Sequence, residues 1–192
     1  MLTQLSTLKS RLAITVTDYD ALLTNAIKAI STRFDKQTNR TLARTTSATE
    51  EFPADQTEIA VPCFPIESVT KFETKTNETD GWTEQAGTKY LIRRACVVSL
   101  SSPLDTRHSA LCRLTYTGGY VLPGDTPAAG QTALPDDLEQ AAVEQVAYWF
   151  RNREKTGLLR SWPHDGTFEV FAQFELLLEV ARILKRYERL VL

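Results

Sequence analysis

The sequence predicts an α+β protein: a helical frame drawn from both ends of the chain, a β-rich region inserted into it, and a long C-terminal helix. Three observations carry this. Behind Pro135-Asp136-Asp137, the residues Leu138, Ala142, Val146, Trp149 and Phe150 fall on one face at helical spacing, with Gln140, Glu144, Arg151 and Lys155 opposite. Between residues 45 and 117 threonine, valine and aromatics rise and turn residues recur, the composition of short strands. From residue 168 to about residue 190, apolar positions cover an arc much wider than the ~100° that packing on one core requires.

In chain order, Leu2, Leu5, Leu8 and Leu12 predict a short amphipathic helix over 2–13, interrupted by the β-branched run Ile14-Thr15-Val16. Thr17-Asp18-Tyr19-Asp20 resembles a capping box, the threonine capping and Asp20 reaching back to its N–H. The helix it opens runs to about residue 37 and turns Leu23, Ala26, Ile27, Ile30 and Phe34 inward. Asp18 and Asp20 read as first-turn charges on the helix dipole rather than as an acid–base pair. Strands are predicted over 58–61, 67–76, 89–94, 97–100 and 111–117, with a turn at 77–81. In the last strand Cys112, Leu114 and Tyr116 alternate with Arg113, Thr115 and Thr117, the period of a half-buried strand.

Gly118-Gly119 belongs to no phosphate-binding glycine pattern and reads as a tight turn. An irregular loop follows over 121–134. Pro135 fits the first helical position, where its missing N–H has no partner, and Asp136 and Asp137 complement the dipole. Residues 157–167 form a second break ahead of the final helix. In that helix Phe174, Leu177, Val180 and Leu184 lie on the apolar arc, while Phe171 and Leu178 intrude among Glu175, Arg182, Lys185, Arg186 and Arg189. The expected organisation is a single domain, its helical frame formed by 1–44 and 134–192 and its β-rich insertion by 45–120.

With 192 residues and a formal charge of −2, the chain has the length for one domain with an insertion and lacks the basic excess of a dedicated nucleic-acid binder. Its three cysteines, Cys63, Cys96 and Cys112, form no CxxC pair and read as free thiols in a reducing compartment. No apolar run reaches the ~20 residues of a membrane span, and the first residues lack a signal-peptide layout, so the expectation is a soluble protein made in the cytoplasm. His108 and Cys112 have a spacing met in zinc sites, with Cys96 or Cys63 as further ligands, but a tetrahedral site needs four such groups. A surface histidine with packed cysteines accounts better for the pattern. A Cys–His nucleophile meets the same objection, since nothing marks a positioned base or an oxyanion hole. The basic residues at 151–160 and 182–189 read as a solvated face with dipole compensation rather than phosphate contacts. No catalytic residue, cofactor or metal is expected.

The order of several short motifs resembles the head–tail connector (adaptor) proteins of tailed bacteriophages. They are the opening leucine helix, Asp18-Tyr19-Asp20-Ala21-Leu22-Leu23, Arg40-Thr41-Leu42, Pro62-Cys63-Phe64-Pro65-Ile66-Glu67-Ser68-Val69, Leu114-Thr115-Tyr116-Thr117-Gly118-Gly119-Tyr120, and Leu134-Pro135-Asp136-Asp137-Leu138-Glu139-Gln140-Ala141. The resemblance implies an antiparallel α-helical bundle with an inserted β-rich region, and a non-enzymatic virion protein at the head–tail interface. It implies a ring, typically dodecameric, that docks on the portal protein and presents a surface to the stopper or tail-completion protein. Genomic DNA would pass through without sequence-specific binding, and no membrane would be involved. The 121–134 loop is longer than the family leads one to expect, and residues 168–192 carry none of its motifs. The partner-binding candidates are therefore read from surface character alone: Phe171, Phe174, Leu178, Arg182, Lys185 and Arg186, with Trp162 in the preceding break, apolar anchors within a charged rim. A head-closure stopper or tail-terminator protein is the alternative, and an enzyme using Cys or His is the remote one.

Overall fold

Apolar stripes place the helices, and β-branched runs place the strands, in the computed structural model. It describes residues 1–77, 79, 81–104, 111–154, 160–161, 169–170 and 175–189. The elements are α1 (Leu5–Leu12), α2 (Asp20–Thr38), β1 (Thr45–Pro53), β2 (Glu58–Ala60), β3 (Ile66–Lys75), β4 (Thr83–Glu84), β5 (Tyr90–Arg93), β6 (Val97–Leu100), β7 (Leu111–Gly118), β8 (Tyr120–Val121), β9 (Thr132–Ala133), α3 (Asp136–Arg151), β10 (Arg160–Ser161), β11 (Glu169–Val170) and α4 (Leu178–Lys185). The class is α+β. The chain divides into a helical unit, Met1–Phe34 with Leu134–Tyr187, and a β unit, Asp35–Ala133 with Glu188–Leu192.

In the helical unit α1 begins at Leu5 rather than residue 2, although Leu2 is buried and its N–H donates to Ser31 Oγ at 3.1 Å. Ala13, left-handed at φ 56°, ends α1, and the Ile14 N–H folds back to the Lys9 carbonyl at 3.0 Å. The predicted capping box does not form. Helix α2 opens at Asp20, whose carboxylate accepts Lys9 Nζ at 2.7 Å, while Thr17 contributes its carbonyl to the Asp20 N–H. A salt bridge to a neighbouring helix has displaced the local cap. Leu23, Ile27, Ile30 and Phe34 form the buried stripe of α2 as expected, with Ala26 half-buried. Pro135 caps α3 in an extended conformation one residue before the position predicted for it. Leu138, Ala142 and Val146 of α3 are buried, and half-buried Phe150 meets Tyr19 edge-on at 5.2 Å between ring centroids.

The long C-terminal helix is corrected. Among the described residues of 168–190 only Leu178–Lys185 is helical; Leu177 is an extended cap, and Glu169–Val170 pairs antiparallel with Arg160–Ser161. The cause lies on α3. Fully buried Gln145 donates Nε2 to the Glu175 carbonyl at 3.3 Å and accepts the Leu177 N–H on Oε1 at 2.7 Å. Those two bonds hold 175–177 outside the helix, and they satisfy an amide whose burial without partners would cost about 1–3 kcal/mol. Beyond α4, Arg189 is off the helix as well. Within the β unit its N–H donates to the Thr38 carbonyl, and its guanidinium to the Glu50 carboxylate and the Ala60 carbonyl.

The β unit holds a four-stranded sheet in the order β1-β7-β3-β4 and a three-stranded sheet in the order β2-β6-β5, both antiparallel. Both contribute to one core, Phe52 of β1, Ile59 of β2, Phe72 of β3, Val98 and Leu100 of β6, and Cys112, Leu114 and Tyr116 of β7. Strand β7 is central, so Thr115 is buried too, against the simple alternation predicted. The five predicted strands are present within one residue at each end; β1, β4, β8 and β9 were not legible. The loop after β7 is closed by a parallel pair, Tyr120↔Thr132 and Val121↔Ala133.

Gly118-Gly119 is a close crossing of three backbones rather than an isolated turn. A Cβ on Gly118 would stand 2.4 Å from the Cys63 carbonyl oxygen and 2.8 Å from that of Pro65. On Gly119, at φ 97°, it would stand 2.6 Å from the Ala43 carbonyl oxygen. The Gly119 N–H donates to the Pro65 carbonyl at 2.9 Å, the Tyr120 N–H to the Leu42 carbonyl and the Arg44 N–H to the Tyr120 carbonyl, both at 2.8 Å.

Candidate interaction surfaces

Helix α4 is amphipathic on a small scale. Val180 and Leu184, four residues apart, are buried, an effect worth about 1.5–3 kcal/mol for the leucine. The opposite face exposes Leu178, Glu179, Arg182 and Lys185, with Leu178 65% accessible. Arg182 Nη1 pairs with Glu179 Oε1 at 2.6 Å, one turn apart, a contact that contributes a few tenths of a kcal/mol at such exposure. Arg186 follows α4, exposed, in a turn whose N–H returns to the Ile183 carbonyl at 3.0 Å. Next to it Tyr187 donates its hydroxyl to Asp137 of α3 at 2.6 Å. Four of the sequence-derived candidates therefore fall within ten residues of one another and are exposed, Leu178, Arg182 and Lys185 on one short helix and Arg186 just past its end. Trp162, Phe171 and Phe174 lie outside the described residues. Leu177, expected in the middle of the packed arc, is only half-buried because it caps α4.

Within the β unit the motif residues build packing rather than a reaction centre. Arg40, 4% exposed, lies 3.3 Å from the Phe64 ring centroid and 5.2 Å from that of Tyr120, and donates Nη2 to the Phe64 carbonyl. Burial pushes its pKa below the ordinary arginine value. Asp35 accepts the Leu42 N–H at 2.9 Å, and its own pKa is raised by burial. Cys63, Cys96 and Cys112 are free and buried; Cys63 donates Sγ–H to the Gly118 carbonyl at 3.1 Å, and burial raises the thiol pKa of Cys63 and Cys96. A thiol so held is a poor nucleophile. His108 and His164 lie outside the described residues, and among those described no three His, Cys, Asp or Glu side chains gather as metal ligands. No described helix is long and apolar enough to cross a membrane. On the outer face of the four-stranded sheet Glu73 takes Lys71 at 2.8 Å and Arg113 at 2.8 Å, and Arg113 stacks 4.2 Å from the Trp82 centroid.

The surface that sequence reasoning missed is β5. It is the edge of its sheet, and Tyr90, Leu91 and Ile92 are all exposed. Three apolar residues in a row on an edge strand were a signal in themselves.

Comparison with known proteins places this fold. The family described as head completion protein matches residues 1–158. The fold is similar to a chain in a structure described as the neck of an empty GTA particle computed with C6 symmetry. That match has a TM-score of 0.62 and 16% identity, over 100% of this chain and 91% of the other. It is also similar to a chain in the virion of a native gene transfer agent (GTA) particle, with a TM-score of 0.59 and 15% identity over the same shares, 100% and 91%. At these identities the likeness is one of fold. No curated protein matches the chain. The protein is thus of the class of structural virion components that connect head and tail. It belongs to the head completion protein family.

Proposed function

We propose that the protein is a connector subunit that assembles as a homo-oligomeric ring, dodecameric as its resemblance implies, between the portal protein and the stopper or tail-completion protein. The match of residues 1–158 to the head completion family carries this reading. In it the subunit acts as one domain, a helical frame of 1–44 and 134–192 forming an antiparallel bundle, with a β-rich insertion of 45–120. It works by binding and not by catalysis, and DNA passes through the ring without sequence-specific contact. The exposed face of α4 is the candidate contact with a neighbouring virion protein: Leu178, Arg182, Lys185 and Arg186, with Trp162, Phe171 and Phe174 of the preceding segment. A stopper or tail terminator, the second reading, would be expected to have an all-β core. The buried stripes of α2 and α3 support the connector instead.

Complementation tests the reading. Particles assembled without this protein should package DNA yet fail to join tails, and purified protein added to those heads should restore infectious particles. Infectious tailed particles formed in its complete absence would contradict the proposal.

A further inference from the structure

Exposed large apolar side chains gather at two places among the described residues. One is β5, where Tyr90, Leu91 and Ile92 are 37%, 66% and 40% accessible in consecutive positions. The other is the entry to α2, where Val16 and Leu22 are 50% and 46% accessible. Isolated exposed leucines are ordinary, but runs of them mark contact surfaces.

Along β5 the side chains of Tyr90 and Ile92 share one face, and Leu91, the most exposed of the three, stands on the other. Lys89 accepts the Ser101 N–H on its carbonyl at 3.0 Å, and Leu91 and Arg93 stand opposite Ser99 and Val97. By the alternation of an antiparallel ladder, residues 89, 91 and 93 bond to β6, and the backbone groups of Tyr90 and Ile92 face the open edge. The β5–β6 turn places Arg94 and Ala95 at φ 50° and 56°, a left-handed conformation that costs a non-glycine residue roughly 1–2 kcal/mol. It is held there by the Ile66 N–H on the Ala95 carbonyl at 2.7 Å. Arg94 is thereby fixed at the end of the strip. The charges along it are Lys89, Arg93 and Arg94, with Glu58 paired to Arg93 at 3.0 Å.

The α2 entry has the complementary sign. Asp18 is exposed and makes no ion pair among the described residues, while Asp20 is taken by Lys9 at 2.7 Å. Arg153 stands 5.4 Å from the ring centroid of the neighbouring Tyr19. Asp18 and Leu22 also belong to a motif of the resemblance, and neither is spent on the subunit's own core.

We propose that these two surfaces join successive copies of this chain in the ring: Leu91 of one copy packs on Val16 and Leu22 of the next, and Arg94 faces Asp18. The inference rests on the ring reading above. A closed ring of identical subunits uses a heterologous contact, in which two different patches of each copy meet. Here each copy carries one apolar patch with positive charge and one with negative, the arrangement that steers and registers an interface.

The test uses the full chain and portal rings, scored by sedimentation and by disulfide trapping. Wild type should form rings on portal. Leu91→Glu and Leu22→Glu, both at exposed positions, should keep the wild-type melting temperature and lower ring yield at least tenfold. Asp18→Arg and Arg94→Glu should each do the same, and the two combined in one chain should recover most of the yield. Arg94→Cys with Asp18→Cys should give, on assembly under oxidation, a ladder of covalent multimers of this chain alone. If the wild type never forms a ring, the connector reading falls and this contact with it. If rings form and the charge and leucine variants assemble normally, or the cysteines trap a different virion protein, the contact is overturned while the connector reading stands.

Discussion

At Gly118 the chain leaves no room for a side chain. A Cβ there would stand 2.4 Å from one backbone oxygen and 2.8 Å from another, neither able to swing aside. Gly118→Ala should therefore destabilise the protein by about 3 kcal/mol or more in urea unfolding. Gly81→Ala, where an added Cβ meets nothing within 4 Å, should stay within about 0.5 kcal/mol of wild type. Tyr116 makes a second test at this scale. Its hydroxyl accepts the Cys63 N–H at 3.1 Å, and burial drives the phenol well above its ordinary pKa, as it does the Cys63 and Cys96 thiols. All three groups are neutral when protonated and are harder to ionise folded than unfolded. Their contribution is fully present below the unfolded values and is lost as pH rises from those values toward the folded ones. From neutral pH, stability should be level to about pH 8 and fall as pH passes the ordinary thiol and phenol values of about 8.5 and 10. Tyr116→Phe should cost about 1–3 kcal/mol at pH 7, by leaving the Cys63 N–H without an acceptor, and should make the alkaline decline shallower.

At the scale of elements, α4 depends on a polar side chain that periodicity passes over. Gln145→Ala would free the Glu175 carbonyl and the Leu177 N–H and open a void beside them. We expect a loss of about 2–3 kcal/mol and faster proteolytic cleavage near residue 176. Leu184→Ala should cost about 2–5 kcal/mol, whereas Leu178→Ser should melt close to wild type and separate a contact role from a folding one. These elements also mark what the sequence could tell. The stripe of α2 and the alternation of β7 were legible because each buries one face at the period of its backbone. Strand β1, Thr-Thr-Ser-Ala-Thr-Glu-Glu-Phe-Pro, buries only Phe52 and shows no apolar alternation; its conformation comes from pairing with β7. The wide apolar arc at 168–190 misled for a related reason. Its described residues serve a strand, an extended cap and a short helix, and no single helical wheel describes them.

At the scale of the whole molecule, the α+β class and the family were legible because motif order survives where single motifs are weak. The exposed apolar positions proposed as contacts were legible only in part. Leu178 stood out as apolar among charges, but β5 read as another strand, because its exposure follows from which neighbours the sheet supplies. The central claim is that this subunit builds a ring on the portal. The most direct measurement is electron microscopy, with sedimentation, of the purified protein alone and mixed with portal rings. The account predicts small species alone and, with portal, a second ring layer stacked on the portal's end. A protein that stays monomeric in both, leaving the portal rings bare, would contradict it.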